Sequence, residues 1–354
     1  MKINSIKNTP NLYFKGCYGS VYQSDRGVNK TNLCTIETHF ARDLESAEAA
    51  KMTLIKNFPN GTHIADMGCS LGYETYTLAT LFNDVNQNKK YKITGYDIAP
   101  TLVENAKIGV LNIGGDGNNH ERFLNNTYKD ALTPLQNSFK TKFDECFEVI
   151  PELLKKMDVD ALKNLSNPKS INELRVKNFL HPPFAKETGG SYYVPKDNIF
   201  EGIIDFKVAD INNITKELEP QKTGMVVFKN ALYHILNSKN SFSYNRVDTK
   251  SAEYILEQIY KVLPEKGLLF FGSLEHDHLY DMDDMRNKYE LKYQNGKQIK
   301  VYQSSKIHEK LNSLGFKPIF YDFYKDAEYL ETPKCLLPSV WEKMPKSILH
   351  NFRL

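Results

Sequence analysis

Apolar residues between positions 43 and 58 fall three or four apart, at Leu44, Ala47, Ala50, Leu54 and Phe58. That spacing predicts an amphipathic helix, with Asp43 as its N-cap. A short apolar strand follows at 62-THIADM-67, then a glycine turn, then a helix carried by Tyr76, Leu78, Ala79 and Phe82. A second strand, 91-YKITGY-96, stops at Asp97, and Pro100 opens a helix over 100–109. This β-α-β-α order predicts an α/β fold with a parallel, doubly wound sheet.

From Gly114 to about Pro195 the alternation breaks. Gly114, Gly115 and Gly117 make a loop, and 128–165 reads as helical stretches interrupted by Pro134 and Pro151, with no strand pattern. A mostly helical insertion is expected there. The sheet resumes at 203-IIDFKVADI-211 and 225-MVVFKN-230, followed by a helix at 249–263 and the strand 268-LLFFGS-273. Asn295-Gly296 between 289-YELKY-293 and 298-QIKVY-302 signals a hairpin. A helix at 304–314 ends at Gly315, and 317-KPIFYDFY-324 supplies a last strand. The tail, with Pro333, Pro338, Trp341 and Pro345, is expected to fold back as short helices.

Composition narrows the class only modestly. The 354 residues suffice for one large core, and a net charge of +3 gives no field that would draw nucleic acid. Cys17, Cys34, Cys69, Cys146 and Cys335 form no C-x-x-C pair, and the odd count argues against a disulfide framework. No apolar run approaches the roughly 20 residues that span a bilayer, and MKINSIKNTPNLYF lacks a signal-peptide core. A soluble protein of the cytoplasm, with no membrane partner, is the expectation.

In an open α/β sheet, ligands bind beyond the carboxyl ends of the strands. Those ends deliver Asp66-Met67-Gly68, Tyr96-Asp97, Ala209-Asp210, Lys229-Asn230 and Gly272-Ser273-Leu274-Glu275. The turn 68-GCSLG-72 fits neither the dinucleotide pattern G-x-G-x-x-G nor a phosphate loop. The missing third glycine disfavours a nicotinamide-dependent oxidoreductase. Gly68 and Gly72 would bring backbone close to a ligand, and Asp97 is placed to accept both hydroxyls of a ribose. The turn has no Lys or Arg, but Asp66 and Glu74 flank it and suit a ligand with positive charge. S-adenosylmethionine (SAM) has that character: an α-ammonium, a sulfonium, a ribose and no phosphate. The plain alternative is a tight turn followed by an Asp97 helix cap. The stretch 275-EHDH-278 has no second ligand cluster and reads as an exposed loop, so no metal is expected. The aromatic 189-GGSYYVP-195 could clamp a substrate or pack in the core.

The run 68-GCSLGYETYTLA-79 closely resembles the G-C-S-T-G-E-E-P-Y-S-L-A signature of CheR-type methyltransferases, SAM-dependent enzymes that methylate chemoreceptor glutamates. In order along the chain, 38-THFARD-43, 96-YDI-98, 228-FKNAL-232 and 263-LPEKGLL-269 resemble further segments of that family. The resemblance covers about residues 36–110 and 200–276. It implies a Rossmann-like class I methyltransferase with a seven-stranded mixed sheet flanked by helices, its last two strands including the one antiparallel to the rest.

Carried over by position, the resemblance implies that Thr38, Arg42, Asp66, Gly68, Cys69, Ser70, Gly72, Glu74, Asp97, Ile98, Asp210, Ile211, Lys229 and Asn230 hold the cofactor. Asp210 and Ile211 would flank the adenine, and Lys229-Asn230 matches the family's Arg-Asn pair. The family's following tyrosine aligns with His234, and Tyr233 lies one place earlier. Arg42 could grip an acceptor carboxylate by its guanidinium fork, while His234 would be the base for an acceptor that must lose a proton, and Tyr233, next to the family's tyrosine position, is the further catalytic candidate. The implied division is an extension lining the cofactor site (1–42), two halves of the SAM-binding domain (43–112 and 199–325), an insertion or substrate lid (113–198) and a tail (326–354). Only about 35 residues precede the Thr38 segment, too few for the family's N-terminal helical domain, and the insertion is far longer than in the chemotaxis enzymes. Chemoreceptor specificity is therefore not implied. The expected activity is methyl transfer to a carboxylate or other nucleophile of a protein or small molecule. The competing expectation is a SAM-binding interaction protein without catalysis.

Overall fold

A computed structural model describes residues 40–85, 88–113, 122–124, 132–149, 191–229, 249–271, 289–294, 297–302, 306–319, 335–336 and 339–345. In chain order the helices are α1 (Leu44–Asn57), α2 (Tyr73–Phe82), α3 (Pro100–Ile108), α4 (Pro134–Cys146), α5 (Ile214–Glu217), α6 (Thr249–Val262) and α7 (Lys306–Leu314). The strands are β1 (Thr62–Met67), β2 (Tyr91–Asp97), β3 (Leu111–Ile113), β4 (Phe147–Val149), β5 (Ser191–Pro195), β6 (Ile204–Val208), β7 (Thr223–Phe228), β8 (Leu268–Phe271), β9 (Tyr289–Gln294), β10 (Lys297–Tyr302), β11 (Phe316–Ile319), β12 (Cys335–Leu336) and β13 (Val340–Lys343).

Seven strands form the main sheet in the order β11-β13-β8-β7-β1-β2-β6. Neighbours from β8 through β6 run parallel, while β13 pairs antiparallel with both β8 and β11. One reversed strand in an otherwise parallel sheet is the expected mixed sheet. The period-two alternation of side chains divides the interior into two cores. Ile64, Met225, Val227, Leu268 and Phe270 join α1, α2 and α3 on one face. Ala65, Met67, Val226, Phe228, Leu269 and Phe271 join α5, α6 and α7 on the other. Burial on both faces explains why these strands read as continuous apolar runs.

Several expectations need correcting. Asp43 does not cap α1 with its side chain; its backbone is left-handed (φ 51°) and its carboxylate lies 3.7 Å from Lys229 Nζ. The described part of the tail contributes the strands β12 and β13 instead of short helices. The hairpin β9–β10 forms as expected, but it belongs to a separate three-stranded sheet with β12. The described residues of the insertion contain strands as well as helix: β4 and β5 pair antiparallel, and β5 also pairs with β3. Tyr193 of β5 packs in the core, 5.0 Å from the Phe143 ring centroid.

That insertion is fastened to the main domain by aromatic packing. Phe40 stands against Phe139, Phe143 and Phe147, with centroids 5.4–5.9 Å apart, while Tyr76 of α2 meets Phe147, Phe200 and Phe206. Such pairs add about 0.5–1.5 kcal/mol each beyond the area they bury. Helix α4 begins with a complete capping box, Thr133 accepting from the Gln136 amide while Gln136 Oε1 accepts from the Thr133 amide.

Candidate functional site

The carboxyl ends of β1, β2 and β7 meet the start of α2 and the turn Phe40–Asp43. Gly68 and Cys69 both donate their amides to the Tyr96 carbonyl, at 2.7 and 2.9 Å, which ties the turn to the end of β2. Gly72 sits at φ 82°, and a Cβ there would lie 2.8 Å from the Phe206 ring, so both conformation and space require glycine. Ser70, also left-handed (φ 51°), donates its amide to Asp97 Oδ2 at 2.8 Å. Asp97 Oδ1 accepts from the Ala99 amide at 2.9 Å. Burial raises the Asp97 pKa, and the amides of Ala99, Ser70 and Ile98 work against that rise. Asp97 thus clamps the turn to β2, with lone pairs left over for a ligand's hydroxyls.

Below the turn lies a buried group of charges. Lys229 Nζ donates to Glu74 Oε1 and Oε2 at 3.0 and 2.9 Å and to the Arg42 carbonyl at 2.9 Å. Its ammonium lies 4.9 Å from the Phe270 ring centroid. Asp66 Oδ2 accepts a 2.6 Å hydrogen bond from the Thr75 hydroxyl. Burial, and next the charge of Glu74, push Asp66 up to about 7, while Thr75, Lys229 and Arg42 pull it down. With Asp66 ionised, the carboxylates Asp43, Asp66 and Glu74 outnumber the cations Lys229 and Arg42 by one. A cationic ligand is what such a group accommodates best.

Arg42 is buried, and the residues on either side of it, Ala41 (φ 57°) and Asp43 (φ 51°), are both left-handed. That conformation costs an alanine about 1–2 kcal/mol, so something must hold it. The Ala41 amide donates to Thr77 Oγ1 at 2.9 Å, the Phe40 ring is wedged among phenylalanines, and Lys229 holds the Arg42 carbonyl.

The remaining positions are less central. Cys69 is buried with its thiol pKa raised by burial, so it is an unreactive wall of the turn. Asp210 accepts from the Asn212 amide and caps the turn Ile211–Asn213, and the Ile211 side chain packs in the second core. Ile98 is half-buried beside Asp97. Ser70 Oγ is buried and has no hydrogen-bond partner, an acceptor and donor left over beside the carboxylate that would take a ribose. Thr38, Asn230, Tyr233 and His234 lie outside the described residues, as do Gly272–Glu275 and 275-EHDH-278. Among the described residues no group of His, Cys, Asp or Glu could hold a metal ion, and no helix is long and apolar enough to cross a membrane. Sequence reasoning missed Thr75 and Thr77. Their signal was a threonine at every second or third place, 75, 77 and 80, in a helix whose only other strongly polar residue is Glu74.

Residues 36–115 match the family CheR methyltransferase, SAM binding domain. The matched stretch carries Arg42, Asp66, Glu74 and Asp97, the residues assembled above. The chain is a SAM-dependent methyltransferase. No curated protein matches it. Among solved structures, this methyltransferase is similar to a SAM-dependent methyltransferase from Methanosarcina mazei, with 14% identity over 83% of this chain and 98% of that one, at a TM-score of 0.33. It is also similar to the PH0226 protein from Pyrococcus horikoshii OT3, with 11% identity over 85% of this chain and 92% of that one, at a TM-score of 0.32. The residues of the methyltransferase site fit its cofactor: an acidic group for the cationic amino-acid end, and Asp97 with the leftover Ser70 hydroxyl for the ribose.

Proposed function

We propose that this methyltransferase acts on a carboxylate of a protein or small molecule, with Arg42 holding the acceptor. The observation that carries the reading is the buried Arg42 on a turn strained on both sides, beside a charge group already supplied with carboxylates. SAM, held by the glycine turn, Asp97 and the acidic group, would supply a methyl group on a positively charged sulfur, which a carboxylate oxygen could take while the C–S electron pair is left on sulfur and no proton is moved. A carboxylate is already ionised at neutral pH and needs no general base from the chain. The chain's task is alignment and the exclusion of water. Asp97 and the glycine turn fix the ribose end, the acidic group receives the ammonium end, and Arg42 presents a guanidinium fork to an incoming anion.

The test begins with calorimetric titration of S-adenosylhomocysteine (SAH) into the wild type and Asp97→Ala. Micromolar binding is expected, weakened by about 2–3 kcal/mol in the variant. Labelled SAM is then turned over with candidate acceptors, and the product is treated with mild base. Base-labile label, released as methanol, marks a methyl ester; base-stable label refutes the carboxylate acceptor, and binding without SAH production refutes catalysis.

A further inference from the structure

We propose that Lys229 is a positioning residue: it holds Glu74 in the arrangement that receives the amino-acid end of the cofactor, and steadies the strained Arg42 turn on the acceptor side, without touching the cofactor itself. The inference rests on the reading of this site as a SAM site.

An ammonium has three N–H donors. Those of Lys229 are accounted for by Glu74 Oε1, Glu74 Oε2 and the Arg42 carbonyl, at 3.0, 2.9 and 2.9 Å. The side chain is 1% exposed, with the Phe270 ring 4.9 Å away and Asp43 Oδ2 at 3.7 Å. No donor is left for a ligand. Glu74, by contrast, gives only part of its acceptor capacity to Lys229, because a carboxylate offers about four lone-pair sites. What remains suits an α-ammonium. The same three bonds reach the end of β7, the first turn of α2 and the turn before α1. These elements adjoin in space but are distant in sequence, 155 positions separating Lys229 from Glu74 and 187 separating it from Arg42. Two left-handed, non-glycine residues flank the Arg42 carbonyl, so that turn depends on being held from outside. Lys229 therefore sets both the carboxylate and the guanidinium of the site from behind.

The experiment uses the full chain and two probes, SAH and methylthioadenosine, which keeps the adenosine and lacks the amino-acid part. Both are titrated into the wild type, Lys229→Met, Lys229→Arg, Glu74→Gln and the double variant Lys229→Met/Glu74→Gln, with thermal unfolding followed alongside. In Lys229→Met the SAH affinity is expected to fall at least tenfold, while methylthioadenosine affinity stays within twofold of the wild type, because Asp97 and the glycine turn still hold the adenosine end. Lys229→Arg, which keeps a fork for Glu74, is expected to recover most of the SAH affinity. The double variant should bind SAH no more weakly than Glu74→Gln alone. Equal loss of both probes would reduce Lys229 to a folding residue. Multiplying losses in the double variant would mean that Lys229 contacts the cofactor independently; either result overturns the proposal. If Lys229→Met does not fold, the double variant, which removes both members of the buried Lys229–Glu74 pair, still decides by its comparison with Glu74→Gln. A wild type that binds neither probe would instead sink the SAM-site reading, and this proposal with it.

Discussion

At the amino end of β1, His63 lies between two threonines, its Nδ1 3.0 Å from Thr223 Oγ1 and its Nε2 3.0 Å from Thr94 Oγ1. Three residues on, Asp66 is buried among Glu74, Lys229 and Arg42, with one hydroxyl, that of Thr75, bonded to it. Both are titratable groups on the same strand, His63 half-buried and Asp66 buried. At His63 every polar atom meets a neutral partner, and burial, helped by Lys207, pushes the imidazole down to about 4. At Asp66 charges lie close by, and with Asp43 counted the carboxylates outnumber the cations by one once Asp66 is ionised. The first arrangement is complete when the chain has folded; the second, on the function proposed above, takes the cationic end of the cofactor. On that reading, one end of the strand serves the fold and the other a ligand.

The largest effect expected from this difference is at Lys229. Replacing it with methionine leaves the Glu74 carboxylate buried without its counter-ion, which costs about 3–5 kcal/mol of unfolding free energy in urea titration. Removing both charges in the double variant should return most of that loss. Next in size is the pH dependence of Asp66. Its folded pKa lies above its unfolded one, so its contribution to stability is full below about pH 4 and disappears as pH rises toward about 7. Between those values Asp66→Asn should lack a fall of about 2–4 kcal/mol seen in the wild type. The sign reverses for the ligand: SAM binding should tighten as pH rises through about 7 in the wild type, and not in Asp66→Asn. His63 gives the opposite slope and a smaller one. Its folded pKa is depressed, so its stability is full above its ordinary value near 6.5 and is lost as pH falls toward about 4. His63→Gln should remove about 1–3 kcal/mol of that acid sensitivity. The smallest change, about 1 kcal/mol, is expected for Thr223→Val, which takes one hydroxyl from the imidazole and leaves SAH affinity unaltered. If it weakened SAH binding, the separation between the two ends of the strand would be wrong.

The same contrast governs what the sequence made legible. β1, β2, β7 and β8 were readable because both faces of the sheet are covered and their apolar runs are local. β13 was not: Val-Trp-Glu-Lys is short, prolines flank it at 338 and 345, and its pairing with β8 and β11 lies far away in the chain. β3 and β4 are three residues each, shorter than any window in which alternation can be counted. In the site, Asp66, Glu74, Asp97 and Lys229 were recognisable as polar residues at strand ends or in the turn. Their partners were not, because a bond such as Lys229–Glu74 leaves no local trace. Asp43 looked like a helix cap, but the Lys229 cation nearby and the left-handed backbone at 43 give its carboxylate another place.

The reversed strand also decides what light can report about this protein. Its one tryptophan, Trp341, is fully buried in β13, across from Leu269 on one side and Pro318 on the other. Of the seven strands it is the last to leave the ribosome, so the parallel part of the sheet can assemble while that edge still stands open. Intrinsic emission will therefore brighten or shift with the closing of the sheet's far side. It will stay nearly silent about the acidic group at the strand ends, and a probe of cofactor arrival must be placed there by design.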